Sequence, residues 1–380
     1  MDIPKESLRC WAEIDLGAIR HNAAVASRLA GPGAGIMAIV KANAYGHGLA
    51  EVVRALRKIV AMYGVANIHE AQAVRAALVP PAPGEPYQPN PGIFILGPAL
   101  PGERPAIVAG GFVPAISTLK EAAAFSALGQ GRLVRVHLAI DTGMGRMGIA
   151  EEDAREVVRE ILRMPDLAIA GVATHLPAAD EDEGFTREQL ARFQAVLAGL
   201  REIGVDAPFI HALSSAGLFR FPHHAGTLIR PGLMLYGSSP LAEYQAELRP
   251  ALALKTRITI IRDLPAGRGI SYGRTFITPR PMRVATLGIG YADGYQRHLS
   301  NQRADVLIHG RRCPLLGRVT MDQIMVDVSR VAEALIGDEA ILIGSSGTEE
   351  ILAAELAAKA GTIPWEIFTS IGERVERIYH

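Results

Sequence analysis

The segment 36–48 reads IMAIVKANAYGHG and sets a lysine where an apolar, β-rich run ends, followed by small residues, a tyrosine and a histidine between two glycines. IMAIV is the first of eight such runs. The others are MYGVA from 62, IFIL from 93, FVPAI from 112, LVRVHLAI from 133, LAIAGVA from 167, PFIHAL from 208 and LIRPGLMLYG from 228. Longer segments of helical spacing separate them. In REQLARFQAVLAGL, 187–200, Leu190, Phe193, Leu197 and Leu200 recur every three or four residues and mark one buried helix face. Eight βα units predict an α/β fold that begins with a (β/α)8 TIM barrel, whose active site lies at the C-terminal ends of the strands. Lys41, Ser117, Asp141, His175, Ser214 with Ser215, and Arg230 stand at those ends.

After Tyr236 the rhythm changes. Alternating stretches such as ALALKTRITII from 251 and MRVATLGIG from 282 are broken by Gly and Pro clusters, which predicts a mostly β C-terminal domain ending with ILIG at 341 and the helix-like EEILAAELAAKAG at 349. LRCWAEIDL, from 8, is strand-like and could pair with either domain. The expected division is a barrel over 12–240, with 1–11 and 241–380 forming the second domain.

Acidic and basic residues balance at 39 each, so no net field draws the chain toward nucleic acid or an anionic membrane. A small-molecule ligand fits better. The N-terminal MDIPKESLRCWAEID carries charges where a secretory signal needs an apolar core, and no segment approaches the roughly 18 apolar residues of a membrane span. Cys10 and Cys313 are the only cysteines, too few for a disulfide framework and without metal-ligand spacing, so both read as buried thiols and no metal is expected. A cytoplasmic location is the expectation.

Of six lysines, only Lys41 combines a buried strand end with a turn of small residues; Lys5, Lys58, Lys120, Lys255 and Lys359 lie in solvated settings. A desolvated amine can act as a nucleophile toward a carbonyl and form a Schiff base, and a strand-end lysine can equally pair with a barrel carboxylate. Position alone leaves both open.

VKANAYGHG, 40–48, resembles the VKADAYGHG signature of alanine racemases. The likeness continues through WAEIDLGAIRHN at 11, DTGMGRMG at 141, THLPAAD at 174, HALSSAG at 211, RPGLMLYG at 230, ISYGRTF at 270, GYADGY at 290 and GRVTMDQIMVD at 317, spanning almost the whole chain in the family's order. The resemblance implies a barrel followed by a β domain, pyridoxal 5′-phosphate held by Lys41, alanine as substrate, and a head-to-tail homodimer. It makes Lys41 and Tyr272 the two catalytic bases, Tyr272 reaching the site from the other subunit. His175 and Arg230 match a hydrogen-bonded relay beside the cofactor ring, whose positive charge would help a phenol that otherwise keeps its proton at neutral pH. Arg230 also matches the arginine facing the pyridine nitrogen; because it does not readily give up a proton, the cofactor stays a weaker electron sink. Tyr45, Ser215, Gly232 and Leu233 match the phosphate contacts, and Arg146 with the partner-derived Met321 backbone matches the hold on the substrate carboxylate.

Some positions depart from the family pattern. Many members carry a lysine two positions before DTGMGR that becomes carbamylated and steadies the arginine; here that position is Ala139. A chloride ion, a bound carboxylate or a nearby acidic side chain is expected opposite Arg146, because an unpaired guanidinium in a dry pocket is costly. Asn43 replaces a common aspartate, and Ser214 a common asparagine. Glu373 stands where a tyrosine often contacts the phosphate, so it is expected to point outward or pair with an arginine, and it leaves strict alanine preference open. The leading expectation is an alanine racemase supplying D-alanine for peptidoglycan. A broader serine/alanine racemase is the nearest rival. A basic amino-acid decarboxylase is disfavoured by Arg230, and a non-catalytic cofactor carrier by the second domain.

Overall fold

All eight apolar runs become parallel strands: β1 Gly35–Ile39, β2 Met62–Val65, β3 Gly92–Ile95, β4 Val113–Ile116, β5 Val134–Asp141, β6 Leu167–Ala173, β7 Phe209–His211 and β8 Leu228–Ile229. They appear in a computed structural model that describes residues 7–78, 91–301 and 304–380. The ladder runs β8-β1-β2-β3-β4-β5-β6-β7, so only the β7–β8 edge lacks a strand ladder. Single bonds close that seam: Thr227 N–H donates to Ile210 O at 3.1 Å, Arg230 N–H to Leu213 O at 2.9 Å, and Ile210 N–H to Thr227 Oγ1 at 2.8 Å. The run read as LIRPGLMLYG stops at Ile229, because Pro231 lacks a donor; Leu233–Tyr236 turns instead into a short 3-10 helix.

Helices cover the strands. In Glu183–Glu202 the Asp182 carboxylate caps the N-terminus by accepting from Phe185 N–H at 2.9 Å, and Leu190, Phe193, Leu197 and Leu200 are all buried as their spacing predicts. Each such side chain contributes about 1.5–3 kcal/mol of burial free energy.

The second sheet settles where the N-terminal strand belongs. Cys10–Ile14 pairs antiparallel with Leu252–Leu264 and parallel with Glu376–Tyr379, entirely within the C-terminal sheet. The segment 349–361 is not one helix: Glu349–Ile351 forms a strand and only Ala353–Ala360 is helical. Cys10 and Cys313 are buried free thiols, pushed up to about 11 and about 12, first by burial. No cluster of metal-binding side chains occurs among the described residues.

The glycines around His47 serve the junction between domains. A Cβ at Gly46 would lie 2.2 Å from Phe368 O, and one at Gly48 would lie 1.9 Å from Tyr379 Oη. Arg377 Nε donates to Gly46 O at 3.1 Å, while its other nitrogens bind Gly372 O, Val375 O and Ile371 O. His47 itself packs on Tyr236 and Phe368 at ring distances of 4.5 and 5.0 Å.

Gly46→Ala therefore introduces both a backbone clash and a side chain at φ +78°. It is expected to cost about 2–4 kcal/mol in equilibrium urea denaturation. Gly102→Ala, where nothing lies within 4 Å of the added carbon, serves as the control. Equal midpoints for the two variants would contradict the interlock.

Candidate active site

Lys41 begins a turn of opposite hand to ordinary helix. Ala42, Asn43, Ala44 and Tyr45 have φ of 52, 53, 53 and 51°, four consecutive non-glycine residues in the left-handed region. Local bonds hold them there: Ala44 N–H to Val40 O at 2.8 Å, Gly46 N–H to Ala42 O at 3.0 Å, and Leu49 N–H to Asn43 Oδ1 at 2.8 Å. Asn43 suits its place, since Asn tolerates this conformation and its oxygen caps the following helix. From the end of the neighbouring strand β2, Glu70 Oε1 accepts Ala42 N–H at 2.8 Å. The Lys41 amine is drawn below the usual lysine range, first by burial and then by Arg146, with Glu70 opposing.

The turn faces a cavity of about 480 Å³ lined by Lys41, Tyr45, Arg146, His175, Ser215 and Arg230, together with Gly232 and Leu233. The same-chain residues that the family resemblance implies therefore meet there, with Ser214 beside them, whereas the strand-end residues Ser117 and Asp141 do not line the cavity. Tyr272 and Met321 do not: they are 71% and 51% exposed and share a separate surface hollow with Thr320, Asp322 and Arg374.

Arg230 is 6% exposed yet well satisfied. Its Nη1 donates to His211 O and His211 Nδ1, both at 2.7 Å; its Nη2 donates to Thr174 O at 2.7 Å, Ala212 O at 2.9 Å and His175 Nδ1 at 3.2 Å. A guanidinium has no acceptor, so His211 Nδ1 and His175 Nδ1 must be unprotonated. His211 then donates from Nε2 to His137 Nδ1 at 2.8 Å, leaving the His137 Nε2–H buried without a partner. Burial first, then the charge of Arg230, lowers His175 and His137 to about 3 and His211 well below its ordinary value. Arg230 is itself lowered to about 10 by burial and Arg146 and stays charged at neutral pH. The positive charge expected of a His175–Arg230 relay thus resides on Arg230 alone.

Opposed to this cation lies a set of donors. Ser215 Oγ accepts from Gly232 N–H at 3.1 Å and Met234 N–H at 3.2 Å, which frees its hydroxyl proton. Burial pushes Tyr45 up to about 12, keeping it a phenol, while a hydrogen bond from the Trp365 side chain pulls the other way. Gly232 has no room for a side chain, since a Cβ there would lie 2.8 Å from Tyr45 Oη. Two hydroxyls and the N–H at the start of the Leu233–Tyr236 turn suit a phosphate, and a lowered amine beside them suits an aldehyde. These residues fit pyridoxal 5′-phosphate.

Asp141 gathers the loop that carries Arg146: its Oδ1 accepts from the N–H groups of Gly143, Met144 and Gly145 at 2.9, 2.8 and 3.2 Å. Among the described residues no carboxylate pairs with Arg146, so of the three counter-ions expected there, a chloride ion, a bound carboxylate or a nearby acidic side chain, the chain itself does not supply the last. Arg146 is exposed in the single chain, and water removes the need for a partner. Glu373 is exposed and points outward, as expected. Sequence spacing did not reveal Glu70, His137, His211 or Trp365 as site residues. His137 and His211 lie on β5 and β7, where their apolar surroundings read as core; Trp365 arrives from the distant helix Pro364–Thr369.

Residues 14–240 match the family description "Alanine racemase, N-terminal domain", and residues 251–379 match "Alanine racemase, C-terminal domain". An alanine racemase of Symbiobacterium thermophilum is 42% identical, covering 97% of this chain and 96% of its own. One of Carboxydothermus hydrogenoformans is 41% identical, covering 97% and 99%. The crystal structure of alanine racemase from D-cycloserine-producing Streptomyces lavendulae superposes with a TM-score of 0.90 at 33% identity, covering 100% of this chain and 98% of that one.

The buried histidines give a pH signature. His47 is lowered to about 4, chiefly by burial, and joins His137, His175 and His211 in taking up protons more readily when unfolded. Their stabilising contribution is complete above the unfolded value near 6.5 and is lost as pH falls toward their folded values. Calorimetry should show the melting temperature declining from pH 7 to pH 5, with a shallower slope in His137→Phe. An identical slope in that variant would argue against a neutral His137.

Proposed function

Since the chain belongs to the alanine racemase family, we propose that it interconverts L- and D-alanine by proton exchange at two groups, Lys41 Nζ and Tyr272 Oη of the partner subunit in a homodimer. The observation that carries this is the meeting, in one cavity, of a desolvated lysine, a buried arginine cation with neutral histidines, and a set of phosphate donors. Pyridoxal 5′-phosphate, when bound, supplies an electron sink that acidifies the α-hydrogen of an attached amino acid. Lys41 would hold it, and Tyr45, Ser215 and the Leu233 N–H would bind its phosphate, with Gly232, whose N–H is donated to Ser215 Oγ, contributing the close backbone approach that a side chain would block.

Arg230 serves as a charge rather than a proton donor. With both Nη groups bonded to fixed acceptors and its proton retained at neutral pH, it stabilises negative charge without protonating it, which favours return of the proton over slower side reactions. Arg146 and the Met321 backbone of the partner subunit would orient the substrate carboxylate. With no lysine to anchor it at position 139, Arg146 would take a chloride ion or a bound carboxylate as its counter-ion once the site is covered.

The exposure of Tyr272 and Met321 supports the dimer, because in a single chain neither reaches the cavity and the two lie together on the surface. Among the described residues no helix is long and apolar enough to cross a membrane, which accords with a cytoplasmic enzyme providing D-alanine for peptidoglycan.

Mixed dimers test the shared site. Lys41→Ala and Tyr272→Phe homodimers should each lose at least about a hundredfold in racemisation. Co-refolded heterodimers place an intact Lys41 opposite an intact Tyr272 in one of two sites, and a random mixture should recover roughly a quarter of wild-type activity. Absence of recovery would place both groups in one subunit's site. In deuterium-exchange assays Tyr272→Phe should slow α-hydrogen abstraction from L-alanine far more than from D-alanine; equal losses would overturn the assignment of one enantiomer to each base.

A further inference from the structure

Glu70 occupies the third position of the helix Ile68–Ala77, whose cap is Asn67: the Asn67 side chain accepts Glu70 N–H at 3.0 Å. In the usual reciprocal arrangement a glutamate here reaches back to the cap residue's own N–H. Glu70 does not. Its Oε2 accepts Ala66 N–H at 2.7 Å and its Oε1 crosses to Ala42 N–H at 2.8 Å, so one carboxylate ties the C-terminal end of β2 to that of β1.

The Ala42 N–H is a donor of the left-handed turn that is met by a side chain from outside it. Backbone bonds within and just after the turn use the N–H groups of Ala44, Gly46, His47 and Gly48, and Ala42 is the residue at which the backbone first changes hand. Lys41 immediately precedes it, and among the described residues its amine has no hydrogen-bond partner to fix its direction. The charges acting on that amine are Arg146, which favours its neutral form, and Glu70, which favours its charged form; the amine in turn acts on His175.

We infer that Glu70 is a positioning residue for Lys41, its carboxylate gripping the Ala42 N–H so that the left-handed turn aims the amine into the cavity. This rests on the reading of Lys41 as the reactive amine. Glu70→Gln loses the charge, and its amide can accept at only one oxygen, so one of the two backbone bonds must go. Glu70→Asp keeps the charge but is one methylene too short to span both strand ends.

The test is competitive acetylation of the full-length, cofactor-free protein across pH, read by mass spectrometry at Lys41 with the exposed Lys58 and Lys120 as internal standards. In the wild type Lys41 should titrate below the two standards; if it titrates with them, the reading of Lys41 itself fails. In Glu70→Gln the Lys41 midpoint should move to still lower pH while the standards stay in place. In Glu70→Asp, capture of added pyridoxal 5′-phosphate by Lys41 should slow roughly tenfold, the change expected on losing one charge-assisted amide bond. A lower melting temperature with an unmoved Lys41 midpoint in Glu70→Gln would make Glu70 merely structural and overturn the inference. If Glu70→Gln does not fold, Glu70→Asp decides: an unchanged rate of capture overturns the inference and a slowed one supports it.

Discussion

Four residues in left-handed backbone are the constraint on which the site depends. Each costs roughly 1–2 kcal/mol relative to right-handed helix, a large share, taken together, of the roughly 5–15 kcal/mol that keeps a domain folded. Such a turn does not persist by itself. Asn43 supports it from within, Glu70 from the neighbouring strand end, and the second domain from outside, where Phe368 and Tyr379 close over Gly46 and Gly48. The lysine is therefore oriented by its own turn and by two parts of the chain that are remote from it in sequence.

The electrostatics of the cavity follow from the same crowding. Lys41, Arg146 and Arg230 bring like charges close together, and burial limits the water that screens Lys41 and Arg230. The chain responds by keeping His137, His175 and His211 neutral and by surrounding Arg230 with carbonyl and imidazole acceptors. A ligand carrying phosphate and carboxylate groups relieves this excess of positive charge, so affinity for anions is a property of the folded pocket.

Much of the fold was legible in the sequence because each barrel strand is buried and announces itself as a short β-rich run between helical segments. The failures have local causes. Pro231 ends β8 early, a strand precedes the helix in 349–361, and Cys10–Ile14 has an ambiguous pattern that only its two partner strands resolve. Lys41, Arg230 and Ser215 stood out because strand ends of a barrel converge. Glu70 and Trp365 did not, since each acts through a contact that no spacing rule predicts. The family resemblance supplied Tyr272 and Met321, which nothing in one chain's pocket would have suggested.

The interlock at Gly46 and Gly48 bears on how such a protein can be recombined. The barrel carries hollows shaped to the Phe368 carbonyl and the Tyr379 hydroxyl, and Arg377 reaches back to the Gly46 carbonyl. A chimera joining this barrel to the β domain of a relative would have to import a C-terminal tail of matching shape, or the lysine turn would lose its cover. The two halves of the chain would therefore have to be exchanged together, although each has its own sheet.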